Sequence, residues 1–296
     1  MWRPLALLLA FGGGMGLILA LGTIAIEGGV SALTLAAFQN TIAGVCILAI
    51  VLARGGRVPL ARRYLLFYAM SAVTGIAVPH AAMFLALPKL GAGLTAIAYL
   101  FPPLFTYALA WMFRLERFDG LRLGALLMGF LGTGFLVFPS GGLPEGVGGG
   151  WVLLAYLIPV SLAIGNVYRS LAWPGDTPVP VLSGAVLLCA GLLLWFAAAA
   201  FDQVTSLQTI EGEVWPAIVT ALVAALAYLA FFELQRAAGP VYLSQSGYIV
   251  TLVGMGFGLF AFGETYGPGV WAGVALVLLG LFSVSLRQFV HLKSRR

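Results

Sequence analysis

Charge is what this chain has least of. Only 8% of its 296 residues are charged, 61% are hydrophobic, and the mean hydropathy is +1.05. A soluble domain carries about 25% charged and about 45–50% apolar residues. A chain this poor in charge has too little polar surface to cover a core in water, so the composition excludes an ordinary soluble fold and points to an integral membrane protein. Cysteine is scarce too. Cys46 and Cys189 are the only two, and both fall inside apolar runs, as small core residues rather than a disulfide pair. Chemistry-bearing motifs are missing as well. The sequence has no Gly-x-x-x-x-Gly-Lys-[Ser/Thr] phosphate loop, hence no ATP drive within the chain. It has no His-Glu-x-x-His, no Gly-x-Ser-x-Gly and no metal-spaced Cys/His cluster. The expectation is therefore no catalytic centre, no metal and no cofactor. The net charge of +5 sits in short loops, where it reads as an orientation signal and not as a nucleic-acid surface.

What is present is long apolar runs. A helix needs roughly 20 apolar residues to span a bilayer. The runs give ten spans, at about 5–26, 31–53, 64–87, 92–113, 120–138, 150–172, 179–200, 215–235, 240–262 and 268–286. They are continuous rather than alternating, which selects helices over barrel strands. The first is too long and too rich in glycine for a cleaved signal segment and reads as a retained span. Ten spans place Arg3, Arg54, Arg57, Arg62, Arg63, Arg114, Arg117, Arg122, Arg169, Arg236, Arg287, Lys293, Arg295 and Arg296 on one side, and only Lys89 of the 15 basic residues on the other. By the positive-inside rule the first side is the cytoplasm, and both termini lie there.

The chain length is twice 148. At that offset Glu116 meets Glu264, Phe84 meets Phe232, Gly91 meets Gly239 and Gly132 meets Gly280. Each half, 1–148 and 149–296, holds five spans. Five is odd, so the second half enters the membrane upside down, as in inverted-repeat transporters. Both glutamates close the fourth helix of a half. Glu264 reads as a topological stop whose charge favours the start of the next helix. Gly120-x-x-x-Gly124, Gly269-x-x-x-Gly273 and Gly12-x-x-x-Gly16 offer small-residue faces for close packing; whether the last of these packs within one chain or between two is open at this level.

The stretches "PPLFTYALAWMFRLERFDGLRLGALLMGFLG" and "TLVGMGFGLFAFGETYGPGVWAGVALVLLG" resemble the end-of-half signature of the drug/metabolite transporter superfamily, in its EamA-like branch. The first half departs from that pattern at Arg114-Leu115-Glu116, where a glycine often precedes the glutamate as Gly263 does. The resemblance implies a monomeric ten-helix basket around a central cavity, working by alternating access in a bacterial inner membrane. It also implies export of amino acids or other small metabolites, with no enzymatic step.

Candidate site residues are the polar groups inside apolar spans, which lipid penalises unless they face a cavity or a partner. Counted at 1.5 Å per residue, Gln39, His80 and Tyr99 share one level roughly 12 Å below the external side. Asn40 neighbours the first. Tyr228, the 148-offset counterpart of His80, shares a depth with Gln245 and Tyr248 on the inner side, where Asn166 and Tyr168 also lie. His80 titrates near neutrality and is the candidate for proton coupling; the alternative is a neutral ring donating to a carbonyl freed by Pro79. Pro102 and Pro103 must interrupt the fourth helix, as a gating kink or a static one. Glu233 and Arg236 read as an interfacial ion pair three residues apart. Arg169 reads as snorkelling to the cytoplasmic surface. With so few fixed charges, the expected solute is neutral, zwitterionic or partly apolar. The rivals are an importer, an uncoupled facilitator, and a membrane-embedded enzyme or partner protein.

Overall fold

The computed structural model describes residues 2–120, 123–124, 127, 149–205, 214–268, 271–272 and 275. The described residues contain helices and no strand: α1 Trp2–Glu27, α2 Ala32–Ala53, α3 Arg62–Ala72, a π turn Val73–Ala77, α4 Val78–Ile97, a 3-10 turn Ala98–Leu100, α5 Pro102–Met112, α6 Gly149–Ala172, α7 Val179–Ala200, α8 Trp215–Ser244 and α9 Ser246–Ala261. Lipid supplies no hydrogen bonds, so the backbone satisfies itself within each helix. Six helical stretches among the described residues are long and apolar enough to cross a bilayer, and α9 is a shorter apolar helix. Most of the expected fifth and tenth spans lies outside the described residues.

Two of these stretches are too long for one crossing. Arg62–Met112 is 51 residues, about 75 Å as a straight helix against about 30 Å of hydrocarbon. It breaks at Gly91, with φ 78° and ψ 171°. Trp215–Ser244 breaks at Gly239, with φ 79° and ψ 177°. A β-carbon is strained at such a φ, and glycine is not. The expected loops at 88–91 and 238–240 are therefore single-residue breaks. These two breaks have the same backbone conformation, 148 positions apart. In the first half the left-handed residue ahead of the glutamate is Arg114, two positions before Glu116, at φ 59°, whereas in the second half it is Gly263, directly before Glu264, at φ 65°.

Glycines set how closely the helices pack. A β-carbon at Gly44 would fall 2.5 Å from the backbone nitrogen of Leu188, and one at Gly184 would fall 2.9 Å from Leu48. That contact seats α2 on α7. Gly12 faces Ile249, and Gly16 faces Val253. The Gly12-x-x-x-Gly16 face is thus used within the chain, against α9. Gly124 has nothing within 4 Å of a β-carbon among the described residues, while Gly269 and Gly273 lie outside them. Cys46 and Cys189 are free. Glu233 and Arg236 do not pair with each other. Glu233 takes Arg3 at 3.0 Å and Arg236 lies 3.8 Å from Asp176, because each points toward a neighbouring segment with a nearer opposite charge.

Candidate functional site

Three helices bring the central polar groups together. Gln39 and Asn40 come from α2, His80 from α4 and Tyr228 from α8, and all four are buried. Pro79 lacks an N–H and sits in the first turn of α4, directly after the π turn at Val73–Ala77. A π turn shifts the hydrogen-bond ladder, which absorbs the missing donor and re-aims the next side chain.

His80 Nδ1 lies 3.1 Å from Gln39 Nε2 and 2.8 Å from Asn40 Nδ2, and His80 Nε2 lies 2.8 Å from the Tyr228 hydroxyl. With the amides so oriented, Nδ1 accepts and the ring carries its proton on Nε2, donating to Tyr228. Asn40 Nδ2 also donates to the Ala36 carbonyl at 2.7 Å. The ring therefore bonds to side chains and not to a carbonyl freed by Pro79. The amide oxygens Gln39 Oε1 and Asn40 Oδ1 have no partner. Buried acceptors without a donor are costly, by about 1–3 kcal/mol each, and such groups recur where a ligand is to be met.

His80, Tyr99, Asn166 and Tyr228 line one cavity together with Pro102 and the break between α8 and α9 at Ser244, Ser246 and Gly247. It has about 20 Å³ of room for water, enough for one or two molecules. A metabolite enters only if the helices part. Tyr99 donates to Met83 Sδ at 3.2 Å. Pro102 and Pro103 occupy the first turn of α5, where a missing N–H breaks no bond, and the 3-10 turn ahead of them delivers the Tyr99 carbonyl against Gly247.

The remaining candidates are placed elsewhere. Tyr168 stacks on Phe67 and donates to the Leu66 carbonyl at 3.4 Å, at the contact with α3. Tyr248 packs with Ile97, Leu100, Phe101 and Met255. Gln245 is buried at the α8–α9 break, and both its amide atoms lack a partner.

Arg169 does not snorkel. It is 0% exposed. Its Nε donates to Gln235 Oε1 at 2.8 Å, its Nη2 donates to Asn166 Oδ1 at 2.6 Å, and the guanidinium lies 4.6 Å over the Phe231 ring. The signal was its spacing: three residues from Asn166, it shares that residue's inward face.

Away from that cavity, Glu264 caps a helix that is remote in sequence. Its Oε1 accepts from Ala92 N at 2.9 Å and its Oε2 from Gly93 N at 3.1 Å. These are the first amides after the Gly91 break, where the helix dipole favours a carboxylate. The charge does sit at a helix start, that of a segment remote in sequence; most of the next helix lies outside the described residues. Tyr266 donates to Oε2 at 2.6 Å. Burial pushes the Tyr266 hydroxyl well above the ordinary tyrosine range, and the bond to Glu264 adds to this, so the donor keeps its proton. A second cavity, about 240 Å³ with some polar lining, opens here between Glu27, Gly91 and Glu264.

The comparisons with known proteins follow this geometry. The EamA-like transporter family matches residues 2–138. No curated protein matches. A solved structure titled "Crystal structure of protein" is similar in fold, with a TM-score of 0.67 and 23% identity over 94% of this chain and 96% of that one.

Proposed function

We propose, for a chain that belongs through residues 2–138 to the EamA-like transporter family, that it is a secondary transporter of small metabolites working by alternating access. The observation that carries the reading is the 2.8 Å bond between His80 and Tyr228. These residues are 148 positions apart, at matching places in the two halves of the chain, and they meet in the wall of one cavity. Contact between equivalent residues of the two halves is what a pseudo-twofold axis through the cavity would give, and inverted-repeat transporters bind solute at such an axis. The matching breaks at Gly91 and Gly239 support the same two-half architecture, 1–148 and 149–296, with ten spans.

The cavity wall is apolar with one amide, one imidazole and a few hydroxyls, which fits a zwitterionic or neutral solute with an apolar part. Amino acids moved outward across a bacterial inner membrane, with both termini cytoplasmic, are the best reading of that chemistry beside the family. The bilayer, the solute and protons are its partners, and the working unit is a monomer. His80 carries the proton in a coupled cycle.

The test is flux into proteoliposomes of the purified protein, with labelled amino acids and neutral amines, with and without a pH gradient. Saturable movement of unmodified solute, driven to accumulation by the gradient, is the expected result. Equilibration that ignores the gradient would make the protein a facilitator. A solute recovered chemically altered would make it an enzyme.

A further inference from the structure

We infer that Arg169 is the anchor for a single anionic group of the solute, so that the transported class carries a carboxylate. The inference rests on the transporter reading and names the substrate class of the same cavity. Three observations carry it. First, the guanidinium is fully buried and no carboxylate pairs with it among the described residues; its partners Gln235 and Asn166 are neutral. A buried cation without a counter-charge is expensive, and proteins keep such groups mainly where function needs them. Second, Nη1 has no acceptor at all, although both its hydrogens are available. A guanidinium presents its donors in a planar fork matched to a carboxylate; here Nε and Nη2 are engaged and Nη1 alone is unused, so a carboxylate takes Nη1 together with Nη2 as the Asn166 amide gives way. Third, the group is positioned, not merely enclosed. It is stacked on Phe231, and Nη1 fills the place that a β-carbon at Gly75 would occupy. Gln235 is itself fixed by donation to the Asn166 carbonyl at 2.6 Å and Ser170 Oγ at 3.0 Å.

The position suits a cavity ligand. Asn166 and Phe231 touch both the guanidinium and the cavity. A carboxylate that displaces the Asn166 amide reaches the arginine from the cavity side.

The experiment uses purified full-length protein, with L-amino acids of graded size and the carboxamide of each as probes. Thermal stabilisation reports binding and proteoliposome flux reports transport. Wild-type protein should be stabilised by at least one amino acid and not by its amide. Arg169→Gln should unfold at a higher temperature than wild type without ligand, since an unpaired charge has been removed, and its ligand midpoint should be at least tenfold weaker. Arg169→Lys should retain part of the response. Gly75→Ala, which keeps the arginine but puts a β-carbon where Nη1 sits, should weaken binding and serves if Arg169→Gln does not fold. An Arg169→Gln protein less stable than wild type would show a structural strut and overturn the proposal. So would amides that bind as well as acids, or no stabilisation by any acid. Flux indifferent to the carboxylate would remove the anion site and leave the transporter reading standing. Carboxylate-specific stabilisation without flux would do the reverse.

Discussion

Gly247→Ala is expected to leave little folded protein and to reduce flux below a tenth of wild type. A β-carbon at this position would land on the Tyr99 carbonyl oxygen. The obstacle is backbone on both sides, so no side-chain rotation relieves it. The Tyr99 carbonyl is held by the 3-10 turn before Pro102, and α9 is tied to the end of α4 by the Thr251 hydroxyl on the Ala96 carbonyl at 2.8 Å. Moving either segment apart breaks that bond and opens the cavity wall. Overpacking costs about 1–3 kcal/mol where side chains can yield, and a backbone clash belongs at or above the upper end. Yield of monodisperse protein and the thermal unfolding midpoint measure the effect. Gly13→Ala is the control. Its β-carbon meets nothing within 4 Å, and alanine favours the helix, so that variant should be neutral or slightly more stable.

The second large effect is expected at the His80–Tyr228 pair. His80→Ala strips the bonding partner from Gln39 and the Tyr228 hydroxyl and leaves Asn40 only its bond to the Ala36 carbonyl, and each buried group left unpaired costs about 1–3 kcal/mol. Tyr228→Phe removes only the partner of Nε2. Each variant should lower flux at least tenfold. The double variant should be no worse than His80→Ala alone, because the two residues act through one bond and their losses do not add. Multiplicative losses would mean that the two side chains act separately, and the shared-axis reading would fall. Gradient-driven accumulation should disappear in His80→Ala even where downhill movement persists. Loss of downhill and driven flux in equal proportion would assign His80 to solute contact and remove it from coupling.

The sequence made the class legible, since a chain with so little charge cannot be soluble. It also made the breaks at Gly91 and Gly239 legible, because glycine and proline punctuate helices. Depth was partly legible. Counting along the helices put Gln39, His80 and Tyr99 at one height, and these three are in fact close to or within the cavity wall. What counting cannot give is rotation about the helix axis. A soluble helix shows its buried side by an apolar stripe, but these helices are apolar all round, so the side that faces the cavity is unmarked. That is why Tyr168 and Tyr248 looked equivalent to Tyr228 yet pack elsewhere. It is also why Arg169, close to a helix end, resembled a snorkelling residue. Glu264 was legible as a helix-start charge, but its helix lies 171–172 residues away in the chain, and only the fold brings that amide pair to it.

Alternating access of one central cavity is tested most directly by the two-sided reactivity of a cysteine placed at Ser246, which lines it, in a background with Cys46 and Cys189 replaced by serine. A membrane-impermeant thiol reagent is applied to right-side-out and to inverted vesicles. The account predicts labelling from both sides, slowed from each by a transported solute. Labelling from one face only, regardless of solute, would contradict it and leave a pocket that opens to a single side.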